Sequence, residues 1–272
     1  MTTAQKIIKN LAIAFAIFLI IVIVSAILGG IYGLASILGL NHQHEILGEM
    51  VVTSFENSDV KKLDVDVVFT NLAIKVGDTL KVETNNDSIL CKEGQQTLQI
   101  KEENNNWFFG ENKGDLIIYI PKNMKFENME IHTGAGKISI EELNTEKLEL
   151  ELGAGETEIE KLEVTRNCKI NGGAGKVSVL SGTIHNFDLD MGIGEINLTA
   201  NIKGKSDIEA GVGNLNITLQ GDKESYKIKT NKGIGKIKID GKEMKEAEVF
   251  GDGENDISID GGIGNIILEF SN

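Results

Sequence analysis

GAGKISI, residues 134–140, returns six more times before the chain ends. The copies are GAGETEI (153–159), GAGKVSV (173–179), GIGEINL (192–198), GVGNLNI (211–217), GIGKIKI (233–239) and GIGNIIL (262–268). Their glycine pairs are Gly134 and Gly136, Gly153 and Gly155, Gly173 and Gly175, Gly192 and Gly194, Gly211 and Gly213, Gly233 and Gly235, and Gly262 and Gly264. Successive copies start 19, 20, 19, 19, 22 and 29 residues apart, a period near that of solenoid folds. Before each pair the apolar residues alternate, as in Leu148, Leu150 and Leu152 or Phe187, Leu189 and Met191, the mark of a strand with one buried face. After the second glycine the alternation resumes out of phase, with Ile193 followed by Ile196 and Leu198, so the chain bends there. Each repeat reads as strand, glycine corner, strand, and a looser polar return.

A strand-turn-strand unit also describes a hairpin, and such units could close an antiparallel barrel or sandwich. The residue between the glycines argues against that. Ala135, Ala154, Ala174, Ile193, Val212, Ile234 and Ile263 are all apolar, where a solvent-facing hairpin tip favours Asn or Asp beside Gly. The expectation is that these seven side chains face a core. The fold class is then all-β, a right-handed parallel β-solenoid whose equivalent residues stack roughly 4.8 Å apart. Lys137, Glu156, Lys176 and Glu195 should form an alternating-charge ladder outside it, and Cys168 shares the inward position of Met129, Leu148 and Phe187. The longer steps, around 221–225 and 242–254, read as insertions on one side.

Composition agrees with this reading. Glycine without proline, 31 residues against 1, suits tight turns between hydrogen-bonded strands, and 41% hydrophobic content is that of a folded protein. The two cysteines, Cys91 and Cys168, are too few for a disulfide framework or metal site and are expected as free thiols. Past residue 40 the balance is 25 basic against 41 acidic side chains, or 25 − 41 = −16, because Lys6 and Lys9 precede that point. Such a surface repels nucleic acid and anionic lipid.

Residues 11–40 carry no charge, and thirty such residues exceed the roughly 20 that cross a bilayer as a helix. A cleavable signal would have a shorter apolar region of roughly 7–15 residues. With Lys6 and Lys9 before the segment and Glu45 and Glu49 after it, residues 1–10 are expected in the cytoplasm and the rest outside. Residues 41–60 form a linker, 61–123 an N-terminal β region that caps the coil, and 124–272 the seven repeats. The carboxyl end shows no comparable cap.

Few motifs carry chemistry. GAGK lacks Walker A spacing, and the aspartate position of calcium-binding nonapeptides is filled by Val177 and Ile266. His42, His44, His132 and His185 do not cluster with cysteine, so no metal or cofactor is expected. Asp188 and Asp190 on one coil should stand beside Asp207 and Glu209 on the next. These four outward carboxylates are candidates for binding a cation or sugar hydroxyls, or for acid-base work, though an ordinary acidic surface gives the same pattern. Trp107, Phe108 and Phe109 form either an exposed contact patch or a buried strand end.

The anchor, the repeated GAGKISI and GAGKVSV, and the run DLIIYIPKNMKFENMEIHTGAGKISI together resemble the bacterial "putative adhesin" family over about residues 50–272. The resemblance implies a right-handed β-solenoid on a membrane anchor, with some members accompanying cell-envelope stress systems, and supplies no catalytic residues. The functional expectation is a non-enzymatic, membrane-anchored surface module that binds envelope polymers or surface glycans. An accessory or sensor subunit acting through a membrane protein partner, and a carbohydrate-active β-helix enzyme, are the alternatives.

Overall fold

The computed structural model describes residues 49–271 apart from 56–58, 104–113, 232 and 246. The expected membrane span, 11–40, lies outside the described residues, as do His42, His44, Trp107, Phe108 and Phe109. Among the described residues no helix is long and apolar enough to cross a membrane.

The fold is all-β, a solenoid-like coil of strands. In chain order these are β1 (Val51–Ser54), β2 (Lys62–Val67), β3 (Asn71–Gly77), β4 (Lys81–Thr84), β5 (Ile89–Gly94), β6 (Thr97–Glu102), β7 (Asp115–Pro121) and β8 (Asn128–Val179). There follow β9 (Gly182–His185), β10 (Phe187–Lys203), β11 (Lys205–Gln220), β12 (Tyr226–Asn231), β13 (Ile234–Ile239), β14 (Lys242–Glu243), β15 (Val249–Phe250), β16 (Asn255–Asp260) and β17 (Ile263–Ser271). Successive repeats stack parallel and in register. Leu189 pairs with Ile170 on one side and Ile208 on the other, and Ile196 likewise with Val177 and Leu215. The inward side chains form one core, in which each buried Leu, Ile or Val contributes on the order of 1.5–3 kcal/mol before entropy is counted. Cys168 lies in it, 1% exposed, paired with Phe187. The polar return of the repeat is in fact a third strand: Leu162 and Val164 pair with Gly182 and Ile184, and Ile184 pairs with Ile202, with the leucine, valine and isoleucines buried.

The corner departs from expectation. The residue between the glycines does not face the core: Ile193, Val212 and Ile263 are 38%, 38% and 37% exposed and Ile234 53%, and Ala154 and Ala174 are exposed too. Ala135 is only partly covered. The reason is geometric. The corner is convex, so inward residues resume only three positions later, at Ile138, Thr157, Val177, Ile196, Leu215, Ile237 and Ile266, and the apex points outward. The glycines are needed for two reasons visible at Gly213: its φ is +146°, which L side chains avoid, and a Cβ there would overlap the carbonyl oxygen of Gly194 in the rung beneath. The coil is therefore parallel although the apical side chains lie at the surface.

The order of stacking also departs from the order of sequence, at both ends. β11 pairs not with the next repeat but with the last: Lys205–Glu209 lie against Asp256–Asp260, and Val212 against Ile263. The intervening repeat, β12 and β13, sits outside, on the far edge of β16 and β17. At the other end β2 and β3 lie between β6 and β7 outside and β8 inside. The segments read as insertions, 221–225 and 242–254, are thus part of the crossing that skips one rung and returns.

Both outer edges are covered by antiparallel strands, which blunt unpaired backbone. At one end β5 folds onto β6 through Gln95 and Gln96, both at positive φ, while β4 covers β7 and β1 covers β4. At the other, β14 folds onto β13 through Asp240 and Gly241, and β15 covers β12. The C-terminal segment IILEFS is interior to the stack and the cap comes from residues before it, contrary to the expectation of an uncapped end. The β2–β3 corner has no glycine pair. There the Glu102 carboxylate accepts from the amides of Val68 (2.7 Å) and Phe69 (3.1 Å) and from the Thr70 hydroxyl (3.1 Å).

Candidate functional site

The four carboxylates singled out in the sequence do come together. Parallel pairing sets Asp188 against Asp207 and Asp190 against Glu209, all four exposed on the outward face of β10 and β11. Alternation puts them outside because Leu189 and Ile208 between them are buried. Asp188 has Lys169 as its other neighbour, and Asp207 has Ser258, so that column is of mixed charge.

The second column is longer than the sequence suggested. Asp66 pairs with His132, whose Nδ1 lies 2.8 Å from Glu151 Oε2. Asn171 pairs with Asp190, Asp190 with Glu209, and Glu209 with Asp260. Asn231 closes the row, donating from Nδ2 to Asp260 Oδ1 at 2.6 Å. Asp260 was not foreseen, since reading the repeats in chain order puts Asn231 beside Glu209. Between this column and the corner runs an open groove of about 580 Å³, lined by Asp66, His132, Glu151, Asn171 and Asp190 and floored by glycine backbone.

Across the corner, the expected charge ladder is present in part. Lys176 and Glu195 approach to 3.8 Å, and Asn197 donates to Glu195 at 2.6 Å. Asn216 in turn donates to Asn197 at 2.9 Å. At such exposed positions these contacts fix register more than they stabilise.

No described group of three His, Cys, Asp or Glu side chains is arranged to hold a metal ion. Cys91 and Cys168 are free, and burial pushes both thiols above the ordinary range, most strongly at Cys168. A thiol held protonated in this way is a poor nucleophile.

The fold and site define a class: a coiled β-domain whose polar surface is a set of in-register side-chain columns on open faces. The chain belongs to the Toastrack DUF4097 family, whose model matches residues 57–255. No curated protein matches it in sequence. Among solved structures it is similar to a putative cell adhesion protein from Clostridium sporogenes, at 16% identity and TM-score 0.40, covering 82% of this chain and 99% of that one. A putative adhesin from Bacteroides fragilis is similar at 13% identity and TM-score 0.42, covering 81% and 97%. A putative lipid binding protein from Parabacteroides distasonis is similar at 16% identity and TM-score 0.40, covering 80% and 97%.

Proposed function

We propose that the chain is a non-enzymatic surface module, anchored in the cell membrane by residues 11–40, that binds envelope polymers or surface glycans through its open polar face. The observation that supports this most is the in-register placement of Asp188, Asp190, Asp207 and Glu209 on an exposed sheet face. Stacked carboxylates at a rung spacing of roughly 4.8 Å offer a periodic partner repeated acceptor sites. Hydrolysis of a glycosidic bond would instead call for an acid and a base in a cleft that excludes water, and these carboxylates stand in solvent.

The test is photo-crosslinking in intact cells from a residue beside the patch, comparing the parent with D188N/D190N/D207N/E209Q. Capture of an envelope polymer or glycan by the parent, lost in the variant, supports the proposal. Loss of glycan turnover in the variant would transfer the chain to the enzymes. Equal capture by both would sink the acidic face as the site. Replacing residues 11–40 by an unrelated span should leave polymer binding intact; a loss of envelope-stress signalling alone would favour the sensor reading.

A further inference from the structure

The corner column has no role in the core, yet it is apolar in every repeat. Register stacks Ala174 beside Ile193, Ile193 beside Val212, Val212 beside Ile263 and Ile263 beside Ile234. The last four are 37–53% exposed and together make a continuous aliphatic ridge along the stack. Two residues further on, the outward position is unconstrained: Lys137, Glu156, Lys176, Glu195, Asn214, Lys236 and Asn265 fill it in turn. The glycines make the bend, so the backbone does not demand an apolar apex. Stacking on one another covers part of each side chain and leaves the rest in water.

Three residues before the apex, Asp190, Glu209 and Asp260 form the acidic column, in the same register. At roughly 3.3 Å per extended residue the two columns run side by side about 10 Å apart. An aliphatic ridge beside a row of carboxylates is complementary to one kind of surface. We propose that this ridge docks the apolar face of a cationic amphipathic helix lying along the stacking axis, with Lys or Arg on its flank reaching Asp190, Glu209 and Asp260.

The spacing fits. Rungs recur at roughly 4.8 Å and helical turns at roughly 5.4 Å, so three intervals accumulate a mismatch of only about 2 Å, within side-chain reach. An extended strand repeats its same-side residues at roughly 6.6 Å and falls out of step sooner. Charge also selects the occupant. A second copy, or an anionic bilayer, would set a negative surface against this acidic column, and like charges facing each other oppose association. The inference does not depend on where the domain resides or on the polymer-binding role.

The test uses the full-length chain in phosphatidylcholine nanodiscs and a dye-labelled Leu/Lys amphipathic peptide of about 14 residues, roughly four turns. Anisotropy is read against empty nanodiscs. Binding should weaken about tenfold or more in I193T/V212T/I263T and in D190N/E209Q/D260N. It should also fall as salt rises from about 0.05 to about 0.5 M, and the peptide should gain helical circular dichroism on binding. Threonine suits an exposed strand position, and the carboxylate variant alters surface groups only, so it decides the matter should the first misfold. Equal binding by both variants, equal binding of a Leu/Glu peptide, or a bound peptide without helix overturns the proposal. Loss of self-association in sedimentation velocity as the sole effect of the ridge variant would make the column a homodimer contact and overturn it too.

Discussion

Ile263 of the last repeat lies in register against Val212, in the place that the next repeat in sequence would otherwise take. Electrostatics at the same interface favours this exchange. Asp256 sits between Lys205 of β11 and Lys227 of β12, and Lys229 Nζ reaches its two oxygens at 2.8 and 3.0 Å. Stacked in chain order, β11 and β12 would put Lys205 beside Lys227.

Asp256→Asn should therefore loosen the inserted rung. The bond from Lys229, helped by Lys227 and Lys205, holds the Asp256 carboxyl below the usual carboxylate range. A lowered folded pKa means that its contribution is present above the unfolded value and is lost as pH falls through the folded one. At this partly exposed site the effect is within about 1 kcal/mol. Urea midpoints at neutral pH should fall in the variant, and the gap from the parent should close toward pH 2–3, below roughly the ordinary aspartate pKa.

The corner glycines tolerate no side chain. Gly213→Ala combines a φ of +146° with overlap on the Gly194 carbonyl, and should cost on the order of 3 kcal/mol. Gly94→Ala, with open space around its position and no positive φ, should stay within about 0.5 kcal/mol. Equal urea midpoints for the two would refute the stacking described for the corner.

Glu102 acts as a substitute for a glycine pair. Its carboxylate serves the Val68 and Phe69 amides and the Thr70 hydroxyl in a corner that cannot turn as the others do. Glu102→Ala leaves these donors without it and should destabilise by roughly 1–3 kcal/mol. Amide exchange should quicken first at Val68 and Phe69, and an unchanged exchange pattern would argue against this role.

The thiols should differ in reactivity. In the native chain iodoacetamide should modify half-buried Cys91 well before buried Cys168, by peptide mass analysis. Because burial raises both folded pKa values, the native state keeps protons that the unfolded chain releases. Their stabilising contribution is complete below the ordinary thiol pKa and declines as pH rises above it. Faster labelling of Cys168 would place it outside the core.

Much of this was legible in the sequence. The two-residue alternation located the inward faces of both strands, and with them Cys168, because burial leaves a periodic mark. The pairing of Asp188 with Asp207 and Asp190 with Glu209 followed from a near-constant period. The corner was misread because an apolar residue was taken to be a buried one, a rule that does not run in reverse for side chains such as Ile193 and Val212. The β2–β3 rung was not recognised as a coil since Val68, Phe69 and Thr70 replace the glycines and their partner, Glu102, lies far along the chain. The exchange of the last two rungs leaves only lengthened steps as its trace, and a step length does not say which neighbour a strand will choose. Asp260 joined the acidic column for that reason unseen.

The exchanged rungs bear on how the domain would behave under tension. A stack laid down in chain order unzips from its last turn, one ladder of hydrogen bonds at a time. Here β2, near one end, is bonded along both edges by β6 and β8, and β17, at the other, by β11 and β13. Once β1, held along one edge by β4, has been drawn away, a pull on β2 or on Ile263–Leu268 of β17 works against two ladders at once, so the coil resists peeling at both ends.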